Sequence, residues 1–78
     1  MVGVDRYDYY IEINEISPPQ GGFRYVAKIG WMVKNPGPGR QHVFPQLSEQ
    51  VGVTETEAQQ KMRAEADRWI ADQGGEKV

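Results

Sequence analysis

The stretch FRYVAKIGWMVK, Phe23 to Lys34, decides the fold. Phe23, Tyr25, Ala27, Ile29, Trp31 and Val33 alternate with Arg24, Val26, Lys28, Gly30, Met32 and Lys34. Such period-two alternation describes an antiparallel strand with one face buried and the other largely solvated. On this reading the odd-numbered set faces a core, and the rest of the chain must provide the layer that covers it.

Upstream, Tyr7, Tyr9, Ile11 and Ile13 alternate with Asp8, Tyr10, Glu12 and Asn14. This predicts a first strand over about residues 7–16, ended by SPPQGG at Ser17–Gly22. The second strand is expected over 22–34. Downstream, NPGPG at Asn35–Gly39 forces a turn into a short third strand over about 40–45, which Pro45 ends because it cannot donate to a ladder. Thr54 followed by Glu57 reads as an N-cap and capping box, with Val53 and Ala58 in staple positions. Ala58, Met62, Ala66, Trp69, Ile70 and Gln73 then recur at helical spacing, predicting a helix over 55–73 stopped by Gly74 and Gly75. The expected fold class is α+β: one domain over 1–78, a three-stranded antiparallel meander with a C-terminal helix on one face. Residues 1–5 and 74–78 are expected to be flexible. Trp69 should meet Trp31, Tyr25 or Ile29.

The totals narrow the function. Seventy-eight residues allow one domain, and the absence of cysteine removes disulfides and thiolate metal sites. The N-terminus MVGVDRYDYY has no signal-peptide pattern, no apolar run approaches a membrane span, and a cytoplasmic setting is expected. His42 is the lone histidine, the two serines sit in turn-like contexts, and the carboxylates do not cluster. Catalysis, metal binding, a cofactor and a small-molecule substrate are therefore not expected.

Charge is segregated along the chain. Residues 1–16 carry −3, residues 17–46 carry +4 with no acid at all, and residues 47–78 carry −3, which returns the net −2. If the helix covers the odd face of the second strand, Arg24, Lys28 and Lys34 project from the bare face. Val26, Met32 and Tyr10 interleave with them, and Arg40 and His42 lie across the turn. This set is the expected interaction face. It suits an unidentified protein partner or a second copy. Nucleic acid is the lesser alternative, because Glu12 and Asp8 on the same face can neutralise Arg24 and Lys28. The outer helix surface, with Glu65, Asp67 and Asp72, is expected to be acidic.

The segment FPQLSEQVGVTETEAQQKMRAEADRWI, Phe44 to Ile70, resembles the strand-to-helix junction of HicB-like antitoxin domains. The matching residues are Pro45, Leu47, Gly52, Thr54, Glu57 and Ala58, then Trp69 and Ile70. The resemblance implies a three-stranded sheet with a helix on one face, and a bacterial domain that pairs with a small RNA-cleaving toxin and often dimerises. The family's Pro-Gly-Cys element and its C-terminal DNA-binding segment have no counterpart in this sequence. GFRYVAKI, Gly22 to Ile29, is similar to the second strand of the arm-binding domains of tyrosine recombinases, which implies DNA contact through the strand face.

Overall fold

A computed structural model describes residues 4–35 and 39–78. The elements run β1 (Arg6–Gln20), β2 (Phe23–Lys34), β3 (Gln41–Val43), β4 (Gln50–Gly52), α1 (Glu55–Asp72) and β5 (Glu76–Lys77). The α+β class and the C-terminal helix on a sheet are as the sequence predicts. The sheet itself is larger and mixed. Its order is β3-β2-β1-β5, and β4 pairs with the same edge of β2 as β3 but farther along. β1, β2, β3 and β4 are antiparallel neighbours, whereas β5 lies parallel to β1.

Two segments expected to lie outside the sheet belong to it. β1 does not stop at SPPQGG but continues to Gln20, and the reversal is made by Gly21 and Gly22 alone, with φ of 58° and 82°. Positive φ at both positions suits a two-residue hairpin turn. The tail, expected to fray, forms β5: the Glu76 and Val78 amides donate to the Asp5 and Tyr7 carbonyls at 2.9 and 2.8 Å. Of the NPGPG turn, residues 36–38 lie outside the described residues; Asn35 precedes them and Gly39 follows.

β2 departs from simple alternation at one residue. Tyr10 pairs with Trp31 but Ile11 pairs with Ile29, so Gly30 is an extra residue on β2, a β-bulge. A bulge inverts the alternation beyond it. Before Gly30, Tyr25, Ala27 and Ile29 face the helix. After it, Met32 faces the helix, and Trp31 and Val33 turn to the other side. Met32 is accordingly 1% exposed and Trp31 44%, whereas Val33, at 4%, is buried on the other side in a concavity lined with Asp8, Trp31, Arg40 and His42. A side chain at the bulge would have to displace the Tyr10 ring, since a Cβ on Gly30 would stand 2.8 Å from Cδ2 of Tyr10.

The core forms in two parts under the helix stripe. Tyr7, Tyr9, Met32, Ala66 and Ile70 make one, and Ala27, Ala58 and Met62 the other, with Ile11, Ile29 and Leu47 packed against both. The alanines at 58 and 66 let the helix approach closely. At Gly52 the approach is closer still, since a Cβ there would lie 2.6 Å from the Ala58 nitrogen. Thr54 caps the helix as expected, its Oγ1 accepting from the Glu57 amide at 3.1 Å. Trp69 finds its aromatic partner in Tyr7, packing edge-on at 5.7 Å between centroids, while Trp31 stacks on Tyr10 instead. Gln73, expected on the buried stripe, is the exposed C-cap. Asp67, exposed on the helix, also reaches the sheet, its carboxylate accepting from the Tyr9 hydroxyl at 2.7 Å.

The molecule is elongated, with extents of 51 × 21 × 19 Å and a radius of gyration of 14.1 Å. A compact chain of this length has roughly 11.5 Å. The residues around the β1–β2 turn, Asn14 to Arg24, are almost all exposed.

Candidate interaction face

The sheet side away from α1 is built by the even residues of β1 and by both halves of β2 as the bulge leaves them. Asp8, Tyr10, Glu12 and Asn14 stand opposite Val33, Trp31, Lys28 and Val26. Val51 of β4 adjoins Val26, and His42 of β3 adjoins Val33. Among the described residues no other element lies over this face.

Its centre is aromatic. Tyr10 and Trp31 stack across the strands with centroids 6.3 Å apart and planes 18° from parallel. They are 53% and 44% exposed, which is unusual for adjacent large side chains on a folded surface. The bulge creates this pair by bringing Trp31 to the side of Tyr10, with Gly30 leaving room for the phenol ring. Beside it Asp8, Trp31, Val33, Arg40 and His42 line a shallow concavity of about 400 Å³. On the far side of Trp31, His42, Val43, Phe44 and Pro45 line a second depression with Gly30, and Phe44 is 86% exposed.

The basic residues divide. Lys28 is 3.2 Å from the Glu12 carboxylate, the cross-strand pairing anticipated from their shared face. Asn14, donating at 3.1 Å, and then Lys28 hold the Glu12 carboxyl below its ordinary pKa. Lys34 lies beyond the bulge and off the face, paired with Asp5 at 3.1 Å. That pairing raises the lysine's pKa and lowers the aspartate's. Arg24 and Arg40 make no ion pair among the described residues. Asp8 is paired with Lys77 at 3.6 Å and Glu12 with Lys28, so Arg24 and Arg40 leave two net positive charges on this surface.

Of the residues expected at the interaction face, the structure gathers Tyr10, Arg24, Val26, Lys28, Arg40 and His42 and removes two. Met32 is a core residue, because the bulge turns it inward, and Lys34 is carried away with it. Trp31 and Val51 belong to the face although the alternation did not place them there, and Val33 lies on the same side but is buried, 4% exposed. The available signal was Gly30 itself, since an isolated glycine in an aromatic and β-branched strand marks a bulge or a close approach. Among the described residues no three His, Asp or Glu side chains converge as metal ligands.

The arrangement is a small α+β domain with one covered and one bare sheet face, and an aromatic pair at the centre of the bare one. Compared with protein-family profiles, curated proteins and solved structures, the chain matches none. No helix among the described residues is long and apolar enough to cross a membrane.

Proposed function

We propose that this chain is a non-catalytic protein-interaction module that binds a partner protein through the bare sheet face. The observation that carries the reading is the exposed Tyr10–Trp31 stack, with the half-buried Val26 and Val51 farther along the same face beyond the Lys28–Glu12 pair. Large aromatic groups with few uncompensated charges are the composition of a protein-binding patch, where rigid rings bury much area at little entropic cost. The likeness to HicB-like domains supports the same reading, with a small toxin-sized protein as the class of partner. The proposal carries with it the cytoplasmic setting expected from the sequence.

Nucleic-acid binding is the second reading, favoured by one observation: Trp31 joins Tyr10 beside Arg24 and Arg40, and bases stack on such platforms. Charge decides against it. Lys28 is neutralised by Glu12 and Lys34 is diverted to Asp5, so few phosphates can be met and little counterion release is gained.

The test is an NMR titration of the labelled protein with mixed single-stranded DNA and RNA at low and physiological salt, read at the two indole signals and at the amides of Arg24, Lys28 and Arg40. The protein-binding reading predicts no saturable change. Saturable, salt-sensitive shifts at Trp31 with Trp69 silent would overturn it in favour of nucleic acid.

A further inference from the structure

The outer edge of β1 offers a second contact, which rests on the reading of this chain as an interaction module and extends it to a specific partner. The Asp5 and Tyr7 carbonyls point away from β2, toward β5, whereas the Arg6 carbonyl accepts from Asn35 at the end of β2. Main-chain groups alternate sides along a strand, and the bulge lies on β2, leaving β1 regular through this stretch. Ile11, Ile13 and Glu15 therefore present their N–H and C=O groups outward, as does the carbonyl of Tyr9. The Tyr9 amide is held by the Asp8 carboxylate at 2.9 Å. β5 covers this edge only at Arg6 and Tyr7. At the other end the β1–β2 ladder is interrupted between Glu15 and Gln20. The open edge is thus the window from Tyr9 to Glu15, with no proline and no bulge of its own to blunt it.

We propose that two copies of this chain pair antiparallel along that window, related by a two-fold axis at Glu12. Tyr9 of one copy lies opposite Glu15 of the second, and Ile11 opposite Ile13. A window from 9 to 15 has residue 12 as its midpoint, so this register uses the whole open edge and clears β5 in both copies. The flanking charges agree with it. Glu15 has no cationic partner among the described residues. Arg63, which makes no ion pair among the described residues, and Lys77, which stands 3.6 Å from the Asp8 carboxylate and 5.0 Å from the Tyr9 ring centroid, line the notch at this edge with Tyr9, Tyr10, Ile11 and Gln59. Glu15 of the second copy, opposite Tyr9 and on the helix side, enters that basic notch. The half-buried Ile11 and Ile13 meet their counterparts on the same side. On the other side the two Glu12 carboxylates face each other across the axis, each already held by its own Lys28 and Asn14.

Sedimentation equilibrium of the full chain from about 1 μM to about 1 mM tests the proposal. A reversible dimer is expected, and Glu15→Lys should weaken it roughly tenfold or more, with Glu15→Lys/Arg63→Glu recovering most of the loss. Ile13→Pro removes an outward donor that the β1–β2 ladder does not use, and should abolish dimerisation while circular dichroism stays native. If that variant misfolds, amide exchange of the unmutated chain decides. Ile11 and Ile13 should gain protection as concentration rises, whereas Glu12 and Asn14 are protected throughout. A monomer across the range, or a dimer indifferent to Glu15→Lys, overturns the edge pairing. Neither result touches the bare-face proposal, whose titration reads Trp31 on the opposite side of the sheet from Glu15.

Discussion

Replacing Met32 and Trp31 in turn by alanine separates the fold described here from the simple alternation of β2. Without the bulge Trp31 is a core residue and Met32 a surface one; with it the roles exchange. Met32 is 1% exposed and enclosed by Tyr7, Tyr9, Ala66 and Ile70, with Ile11, Ile29, Val43, Leu47 and Trp69 around them. Truncating an enclosed methionine removes its transfer free energy and leaves a cavity, costing about 2–5 kcal/mol. In a domain of this size each kcal/mol lowers Tm by about 4–8 °C. Met32→Ala should therefore lower Tm by at least about 8 °C, a large share of a total stability on the order of 4–12 kcal/mol. Trp31→Ala removes a half-exposed ring and its stack with Tyr10, for which about 0.5–1.5 kcal/mol beyond burial is usual. Thermal and urea unfolding of both variants supply the comparison. A Trp31→Ala penalty larger than that of Met32→Ala would refute the bulge and with it the composition of the bare face.

Gly52→Ala should destabilise by about 1–3 kcal/mol or more in urea unfolding, because the new methyl group would meet the Ala58 backbone nitrogen, which cannot swing aside. Burial, then the bond to Asp67, pushes the Tyr9 hydroxyl well above the ordinary tyrosine pKa. Its stabilisation is present below the unfolded value near 10 and is lost as pH rises toward the folded one, so stability should decline in alkali, and Tyr9→Phe should flatten that decline. Asp5 and Glu12 have lowered values, held mainly by Lys34 and by Asn14 with Lys28. Their contribution is present above the ordinary carboxylate range and is lost as pH falls through the folded values, so the double variant Asp5→Asn/Glu12→Gln should show a shallower acid limb in a pH series of urea midpoints.

The legible parts of this fold are those in which local chemistry and burial agree. The helix declared itself through Thr54, Glu57 and the Ala58–Met62–Ala66–Ile70 stripe, because capping and helical period are local properties. The first half of β2 and all of the paired β1 followed from period two. The errors arose where a single residue or a distant contact controls the outcome. One glycine inverted the faces of Trp31 and Met32, and no count of apolar residues reveals an inserted position. β4 and β5 are too short to show periodicity and exist only because β2 and β1 offer free edges beside them. The prolines at 18 and 19 suggested a break, yet they lie where β1 carries no regular pairing to β2. For the interaction face, Tyr10, Arg24 and Lys28 were readable because they precede the bulge or pair simply across strands. Trp31, which lies after it, was not.

Photocrosslinking from the centre of the bare face tests the functional account most directly. With p-benzoylphenylalanine in place of Tyr10, and in place of the exposed Ala64 of the helix as a control, the chain is irradiated in the cells that produce it and the adducts are treated with nuclease and with protease. The account predicts discrete adducts at position 10 that protease destroys and nuclease does not, with none at position 64. Nuclease-sensitive adducts at position 10, or equal labelling at both positions, would contradict it.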